Sequence, residues 1–417
     1  MDDNNADERI SRVIFSYAAR IGQAQDTRAL LQLNADMGRD LVGAERCSIW
    51  IVDTEAGQLY TTVAHGEGEI RVGLTHGLVG ASVAGCESIV VNDTSVDERF
   101  LGRVDQESGY ITHSVLVIPL RTADGTVIGA FQALNKPGGF SDSDVALLGL
   151  AASYSAAAIE THKLRREVES ARLILRELAI ARDVQAALLP QCTPDLQGLD
   201  CAVFFRPAEF VGGDYYDFVE TPDGALFFTL GDVSGKGIPA AVFMASIQAS
   251  LRILLVRGPE SLTGVISDLN NSVYASSHSG RYSTLFCGWI DPRTRRLLYV
   301  NAGQCTPIVV RHRGRDVTVE RLDVGGTPPG LLPVAQYEEG STVLEKGDVL
   351  VCFSDGISEA TNSSDELWHE SEVEKLLRTA SGATAREMTE RIVHAADAFA
   401  GDAEQADDMT VVTLRVL

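Results

Sequence analysis

Leu230–Ala241 reads LGDVSGKGIPAA, and how its SGKG core is read decides the kind of fold around it. A phosphate-cradling P-loop needs a glycine, four residues, then Gly-Lys-Ser/Thr, so that backbone amides surround phosphates and the hydroxyl holds magnesium. Here only three residues separate Gly231 from Gly235, and Gly237 follows Lys236 where the hydroxyl belongs. The nucleotide reading fails on spacing and on chemistry. What remains is a carboxylate, Asp232, closing an apolar strand-like run, with glycines that let the chain turn and Pro239 near a helix start.

With 417 residues the chain exceeds one ordinary core, so two domains are the baseline and three stay open. Lys and Arg total 35 against 58 Asp and Glu, a formal charge of -23 that argues against nucleic acid or an anionic membrane as partner. Either would need a basic face. The seven cysteines, Cys47, Cys86, Cys192, Cys201, Cys287, Cys305 and Cys352, are scattered without a Cys-x-x-Cys pair. Reduced, mostly buried thiols are expected, not a zinc site or a disulfide frame. The start MDDNNADERI lacks an apolar core, and no stretch approaches the roughly 18 uninterrupted apolar residues of a membrane span. A cytoplasmic protein is expected.

Residues 1–25 read as an N-terminal helix or extension, and residues 26–160 as an α/β domain. In the latter, helix-like TRALLQLNADMGRDLVGA precedes short strands RCSIWIVD, GQLYTTVA, SVLVIPL and TVIGAFQALN, with a closing helix. Residues 161–190 have no glycine and no proline before Pro190, which predicts a helix of about seven turns. Its apolar positions Leu164, Val168, Ala171, Leu175 and Leu178 step by four and three, a coiled-coil seam that a second copy would bury. Arg182 and Gln185 interrupt that register just before LLP, as in a hinge or in a helix packing on its own domain.

Residues 191–417 are strand-rich, with hairpin turns at TPDGA and DPRTRR. Helical blocks are expected at Pro239–Arg257, Glu260–Ser277 and about Ser371–Ala400. Two antiparallel sheets with helices outside them fit this order. Carboxylates stand at strand ends beside small residues: Asp214 and Asp217 in VGGDYYDF, Asp232 in LGDVSGKG, Asp355 in CFSDGISEA, Asp407 and Asp408 in ADDMTVV. An oxygen-only donor set suits hard divalent cations such as magnesium or manganese, and two such ions support phosphoester hydrolysis by water. Taken singly, each motif also reads as a turn or a cap; their joint order carries the case.

FVGGDYYDF, GDVSGKGIPAAVFMA, STLFCGWID, NAGQCTPIVV, GDVLVCFSDGISEA and DDMTVVTLRV follow, in order, the pattern of the bacterial PPM-type serine/threonine phosphatases. From about Val184 to Leu417 the chain resembles the SpoIIE and RsbU kind, related to protein phosphatase 2C. The resemblance implies an α-β-β-α sandwich of two antiparallel sheets flanked by helices. It implies two Mn2+ or Mg2+ ions, with Asp214, Asp232, Asp355 and Asp407 as catalytic metal ligands, the Val233 carbonyl as a further contact, and Asp408 beside them. Asp408 is counted in the metal set, and Asp217 is the carboxylate left outside it. Gln185–Pro190 resembles the end of the family's regulatory helix. Two motifs depart from the relatives: Val233 and Ser234 stand where eukaryotic members carry a histidine, leaving the general acid unassigned, and Gln304 replaces the histidine of Ala-Gly-His. Lys236 reads as a solvated loop lysine or as an attractor of a phosphoprotein.

AERCSIWIVD, LVGASVAGCESIVVNDTSVDERF, SVLVIPLRTADGTVIGAFQALNK and GFSDSDVALL resemble a GAF sensor domain. Asn135, Lys136, Phe140 and Asp144 match the cyclic-nucleotide-binding pattern, whereas Val145 replaces its glutamate. His65, His76 and His113 are candidates for haem or metal and Cys86 for a chromophore, against ordinary placement. The whole reads as an α+β multidomain chain: GAF sensor, helical coiled-coil linker, PPM phosphatase. The implied activity is dephosphorylation of a phosphoprotein, a STAS-type anti-sigma-factor antagonist, by a homodimer whose GAF ligand or partner is unknown. The rival is a non-catalytic signalling scaffold; a kinase or ATPase is opposed by the failed P-loop.

Overall fold

A computed structural model describes residues 3–62, 69–102, 105, 109–221, 224–256, 261–276, 280–314 and 316–417, so His65, Pro222, Asp223, Arg257, Glu260 and Ser277 lie outside the described residues. The chain divides into two units, Met1–Leu173 and Ile174–Leu417.

In the first unit the helices α1 (Asp3–Gly22) and α2 (Thr27–Val42) lead into a six-stranded sheet. Asp26 caps α2 by accepting from the Ala29 amide, and Gly43 ends it at φ 69°, where a side chain would be strained. The strands are β1 (Arg46–Asp53), β2 (Gln58–Thr61), β3 (Ile70–Gly73), β4 (Ile89–Val91), β5 (Val115–Arg121) and β6 (Val127–Leu134), in the order β3-β2-β1-β6-β5-β4. Alternation along β5 sends Leu116 and Ile118 into the core beneath α2 with Phe131 and Leu148. Val115 and Val117 point the other way, onto α3 (Gly77–Gly85) with Trp50 and Val79. This is the α/β organisation expected for residues 26–160, with α1 packed onto it through Ile10, Val13, Ile14, Tyr17 and Ile21.

The linker helix corrects an expectation. It is not a separate element of seven turns: α4 runs from Asp142 to Leu188, 47 residues, and includes the closing helix of the first unit. Nothing breaks it, because after Gly149 the sequence holds no glycine or proline before Pro190. Leu164, Val168 and Leu175 of the expected seam are exposed.

The second unit is built from two five-stranded antiparallel sheets. One orders β14 (Gly340–Val343), β11 (Arg296–Ala302), β10 (Ser283–Asp291), β9 (Leu226–Val233) and β8 (Tyr215–Glu220). The other orders β13 (Asp316–Arg321), β12 (Ile308–Arg313), β15 (Val349–Phe353), β16 (Met409–Val416) and β7 (Leu199–Arg206). Period-two alternation decides which core each residue enters. In β15, Leu350 and Cys352 face the core shared by both sheets, whereas Val349, Val351 and Phe353 face the outer helices. Those helices are α8 (Glu370–Thr379) and α9 (Ala385–Ala400), separated near Gly382 at φ 81°, so the expected single block from Ser371 is two.

On the opposite face lie α5 (Gly237–Val256) and α6 (Leu262–Ser276), whose Met244, Ile247, Leu251, Val265 and Leu269 enter the shared core. By length and composition α5 is apolar enough to cross a membrane, a property missed by counting uninterrupted apolar runs. Its buried row packs on the sheet.

Candidate functional site

Two sheets deliver carboxylates to one end of the sandwich. Asp214 immediately precedes β8 and Asp232 is the penultimate residue of β9, both in the first sheet. Asp355 follows β15 and opens the short helical turn α7 (Asp355–Ser358), while Asp407 and Asp408 precede β16. The glycines before Asp214 allow the approach: a Cβ on Gly212 would lie 2.1 Å from Asp408 Oδ2, and one on Gly213 would lie 2.8 Å from the Val233 carbonyl oxygen and 3.2 Å from Asp232 Oδ1. Gly356 serves the other sheet, since its Cβ would stand 2.1 Å from the Asp408 carbonyl oxygen.

Crowding like charges out of water has a cost that shows in the acidities. Burial, then the negative Asp232 and Asp408, hold the Asp214 carboxyl well above the usual carboxylate range. Asp232 is pushed up to about 8, first by burial, then by Asp355, Asp407 and Asp408, against a lowering by Lys236. Asp355 moves the same way, through burial and then Asp407 and Glu359. Asp214 accepts the Thr410 hydroxyl on Oδ2, yet its buried Oδ1 has no hydrogen-bond partner. An orphaned carboxylate oxygen among repelling carboxylates is what a hard cation satisfies, so the residues present fit the implied metal.

Not every expected carboxylate is equally free. Asp408 accepts the amides of Ala208 (2.8 Å), Gly213 (2.6 Å) and Asp214 (3.2 Å), which spends both oxygens on holding the Asp214 loop. Asp407 is paired with Lys236 Nζ at 3.0 Å, and that ammonium also donates to the Ala406 carbonyl at 2.5 Å. Lys236 is thus an exposed loop lysine, as expected, that also forms an ion pair with the edge of the carboxylate cluster. Asp217 points elsewhere, accepting Arg252 at 2.8 and 2.9 Å and the Tyr215 hydroxyl at 2.9 Å. Among the described residues no three carboxylate, imidazole or thiol groups already stand at ligating distance of one point.

Sequence reasoning missed Thr410 and Ser354. The Ser354 hydroxyl donates to the Asp408 carbonyl at 3.0 Å and accepts the Thr410 amide at 2.9 Å, stitching β16 to the end of β15. The available signal was slight, a hydroxyl at position 410 in the otherwise apolar start of β16, two residues beyond the aspartate pair. Gln185, expected to break the seam and to open the stretch that resembles the regulatory helix end, sits in the last turn of α4. Its side chain accepts the Gly212 amide at 3.1 Å and donates to the Gly212 carbonyl at 2.6 Å, two residues from Asp214.

In the first unit the matched GAF residues are structural. Asn135, at φ 51°, accepts the His113 amide at 2.7 Å and the Ser114 amide at 3.2 Å, and Lys136 pairs with buried Asp144 at 2.5 Å. His76, His113 and Cys86 are exposed.

Comparison with known proteins agrees with both halves. Residues 222–417 match the SpoIIE family, stage II sporulation protein E, and residues 26–159 match the GAF domain. Phosphoserine phosphatase RsbU of Bacillus subtilis is 29% identical over 258 residues, 62% of this chain and 75% of RsbU. Protein IcfG of Synechocystis is 27% identical over 267 residues, 57% of this chain and 41% of IcfG. The solved SiaA-PP2C domain of Pseudomonas aeruginosa has a TM-score of 0.53 at 19% identity, covering 60% of this chain and 99% of that one, which shows the shared fold.

The acidities set a pH dependence. In the cation-free fold Asp232 keeps its proton up to about pH 8, whereas in the unfolded chain it ionises near pH 4. The folded state thus binds the extra proton, and stability must fall as pH rises between these values. Thermal melts in chelator are expected to show lower Tm at pH 8 than at pH 6, with a shallower slope in Asp232→Asn. A flat wild-type profile would contradict the crowding.

Proposed function

For a chain that joins a GAF domain to a phosphatase domain of the SpoIIE family, we propose a divalent-cation-dependent protein serine/threonine phosphatase. Its substrate is a phosphoprotein, taken here as a STAS-type anti-sigma-factor antagonist, in the cytoplasm. The observation that carries the reading is the unpartnered buried Oδ1 of Asp214 among mutually repelling carboxylates. The likeness to phosphoserine phosphatase RsbU supports the serine side of the assignment.

Asp214, Asp232, Asp355 and Asp407, with the Val233 carbonyl, would hold two Mn2+ or Mg2+ ions. When bound, these ions would supply Lewis acidity toward phosphoryl oxygens and lower the pKa of water. The chain's own residues prepare that chemistry. Asp408, through its three amides, fixes the loop that presents Asp214. Thr410 fixes the rotamer of Asp214 by donating to Oδ2, which leaves Oδ1 for a cation. Lys236 balances Asp407 in the ligand-free chain and would offer an ammonium to an arriving phosphoryl group. No side chain is assigned as general acid; water is left to protonate the leaving serine oxygen.

Regulation is read from α4. Gln185 ties the last turn of this helix to Gly212, so a displacement of the helix end moves the Asp214 loop directly. The exposed Leu164, Val168 and Leu175 support a homodimer formed through the helix, and the GAF domain would bias it through a ligand or partner of unknown chemistry.

Three outcomes are expected. Purified protein with Mn2+ releases phosphate from a phosphoserine protein or from para-nitrophenyl phosphate, and Asp232→Asn abolishes the release; equal rates in both would refute the metal-site assignment. Gln185→Ala, which strips a buried amide pair worth about 1–3 kcal/mol, lowers turnover at least several-fold with the fold intact by circular dichroism. Sedimentation at micromolar concentration gives a dimer that Leu175→Lys dissociates, whereas a wild-type monomer would remove the dimer from the scheme.

A further inference from the structure

Gln304 stands where the phosphatase pattern carries a histidine, and the structure gives its side chain a place between the two sheets. It is buried, with 7% of its surface exposed. Its backbone is held on both sides by Asn301, whose Oδ1 accepts the Gln304 amide at 2.8 Å and whose Nδ2 donates to the Gln304 carbonyl at 3.1 Å. The preceding Gly303, at φ 82°, lies where a Cβ would be 2.6 Å from the Pro328 ring, so the turn has no freedom to drift.

From this fixed base the Gln304 amide reaches in two directions. Oε1 accepts the hydroxyl of Thr284, a residue of β10 that sits directly opposite Asp232 in the strand register. Nε2 donates at 3.3 Å to the carbonyl of Phe353, the last residue of β15 and two residues before Asp355. The neighbouring Ser283 hydroxyl donates to the Asp232 carbonyl at 2.9 Å, which continues the tie on the first sheet. One buried amide thus links the strand carrying Asp232 to the strand end carrying Asp355, and no charge is spent in doing so.

We propose that Gln304 is a positioning residue that sets the separation of Asp232 and Asp355, and hence the affinity of the site for divalent cation, without touching cation or substrate. The inference rests on the metal-dependent reading above. Two repelling carboxylates on separate sheets spread apart unless something ties their strands, and groups that orient metal ligands are worth about 10–100-fold in affinity when lost. A uniformly structural role would lower stability without separating binding from turnover.

The test is direct Mn2+ binding to the full chain by electron paramagnetic resonance, with thermal melts and Mn2+-dependent kinetics alongside. Gln304→Ala is expected to weaken Mn2+ binding by about 10-fold or more, raise the Mn2+ concentration for half-maximal rate equally, and leave the rate at saturating Mn2+ near wild type. Gln304→His, which keeps one acceptor and one donor, restores the affinity; Gln304→Leu, of similar size with neither, does not. Unchanged Mn2+ affinity in Gln304→Ala and Gln304→Leu overturns the proposal, as does loss of saturated rate with affinity intact. Should Gln304→Ala unfold, the contrast of Gln304→His with Gln304→Leu decides. Wild type that binds no Mn2+ refutes the metal reading itself, a result distinct from wild type that binds and variants that bind equally.

Discussion

Like charge held out of water is the constraint around which the second unit is arranged. Asp214, Asp232 and Asp355 each resist ionisation because burial and neighbouring carboxylates oppose it. A fold that tolerates this must hold the offending groups by strong local ties. Three amides on Asp408, a hydroxyl from Thr410 and an ammonium from Lys236 are such ties. The small residues nearby follow from the same demand, since Gly212 and Gly213 give the carboxylates the room that any Cβ would take.

Much of this was legible in the sequence. Period-two apolar runs located the strands, the failed P-loop spacing removed the nucleotide reading, and carboxylates at strand ends pointed to one polar edge. What stayed hidden depends on distance in space. Lys236 looks solvated in a list of loop residues, because nothing in SGKG says that Asp407, more than 150 positions away, will face it. Thr410 reads as an ordinary strand residue until Asp214 is placed opposite. Asp217 has the same local neighbourhood as Asp214, and only Arg252 packed against it separates an ion-paired carboxylate from one with an unpartnered oxygen.

The long helix shows the opposite failure. Its composition was read correctly as unbroken, yet the expected domain border cut it at residue 161. Composition reports whether a helix continues, not which part of the fold owns each turn, and α4 belongs to the first unit through Leu148, Ala152 and Ala156 and to the second through Gln185.

The bare contact at Gly356 has a different kind of consequence. There the main chain after β15 lies against the main chain before β16, with no room for even a methyl group between them. Where backbones meet this closely, with only the Ser354 hydroxyl tying them alongside, any side chain at position 356 would push Asp355 away from the Asp407–Asp408 pair. The two strand ends therefore move as one block, and a backbone shift at either is transmitted to the other without a side chain to absorb it.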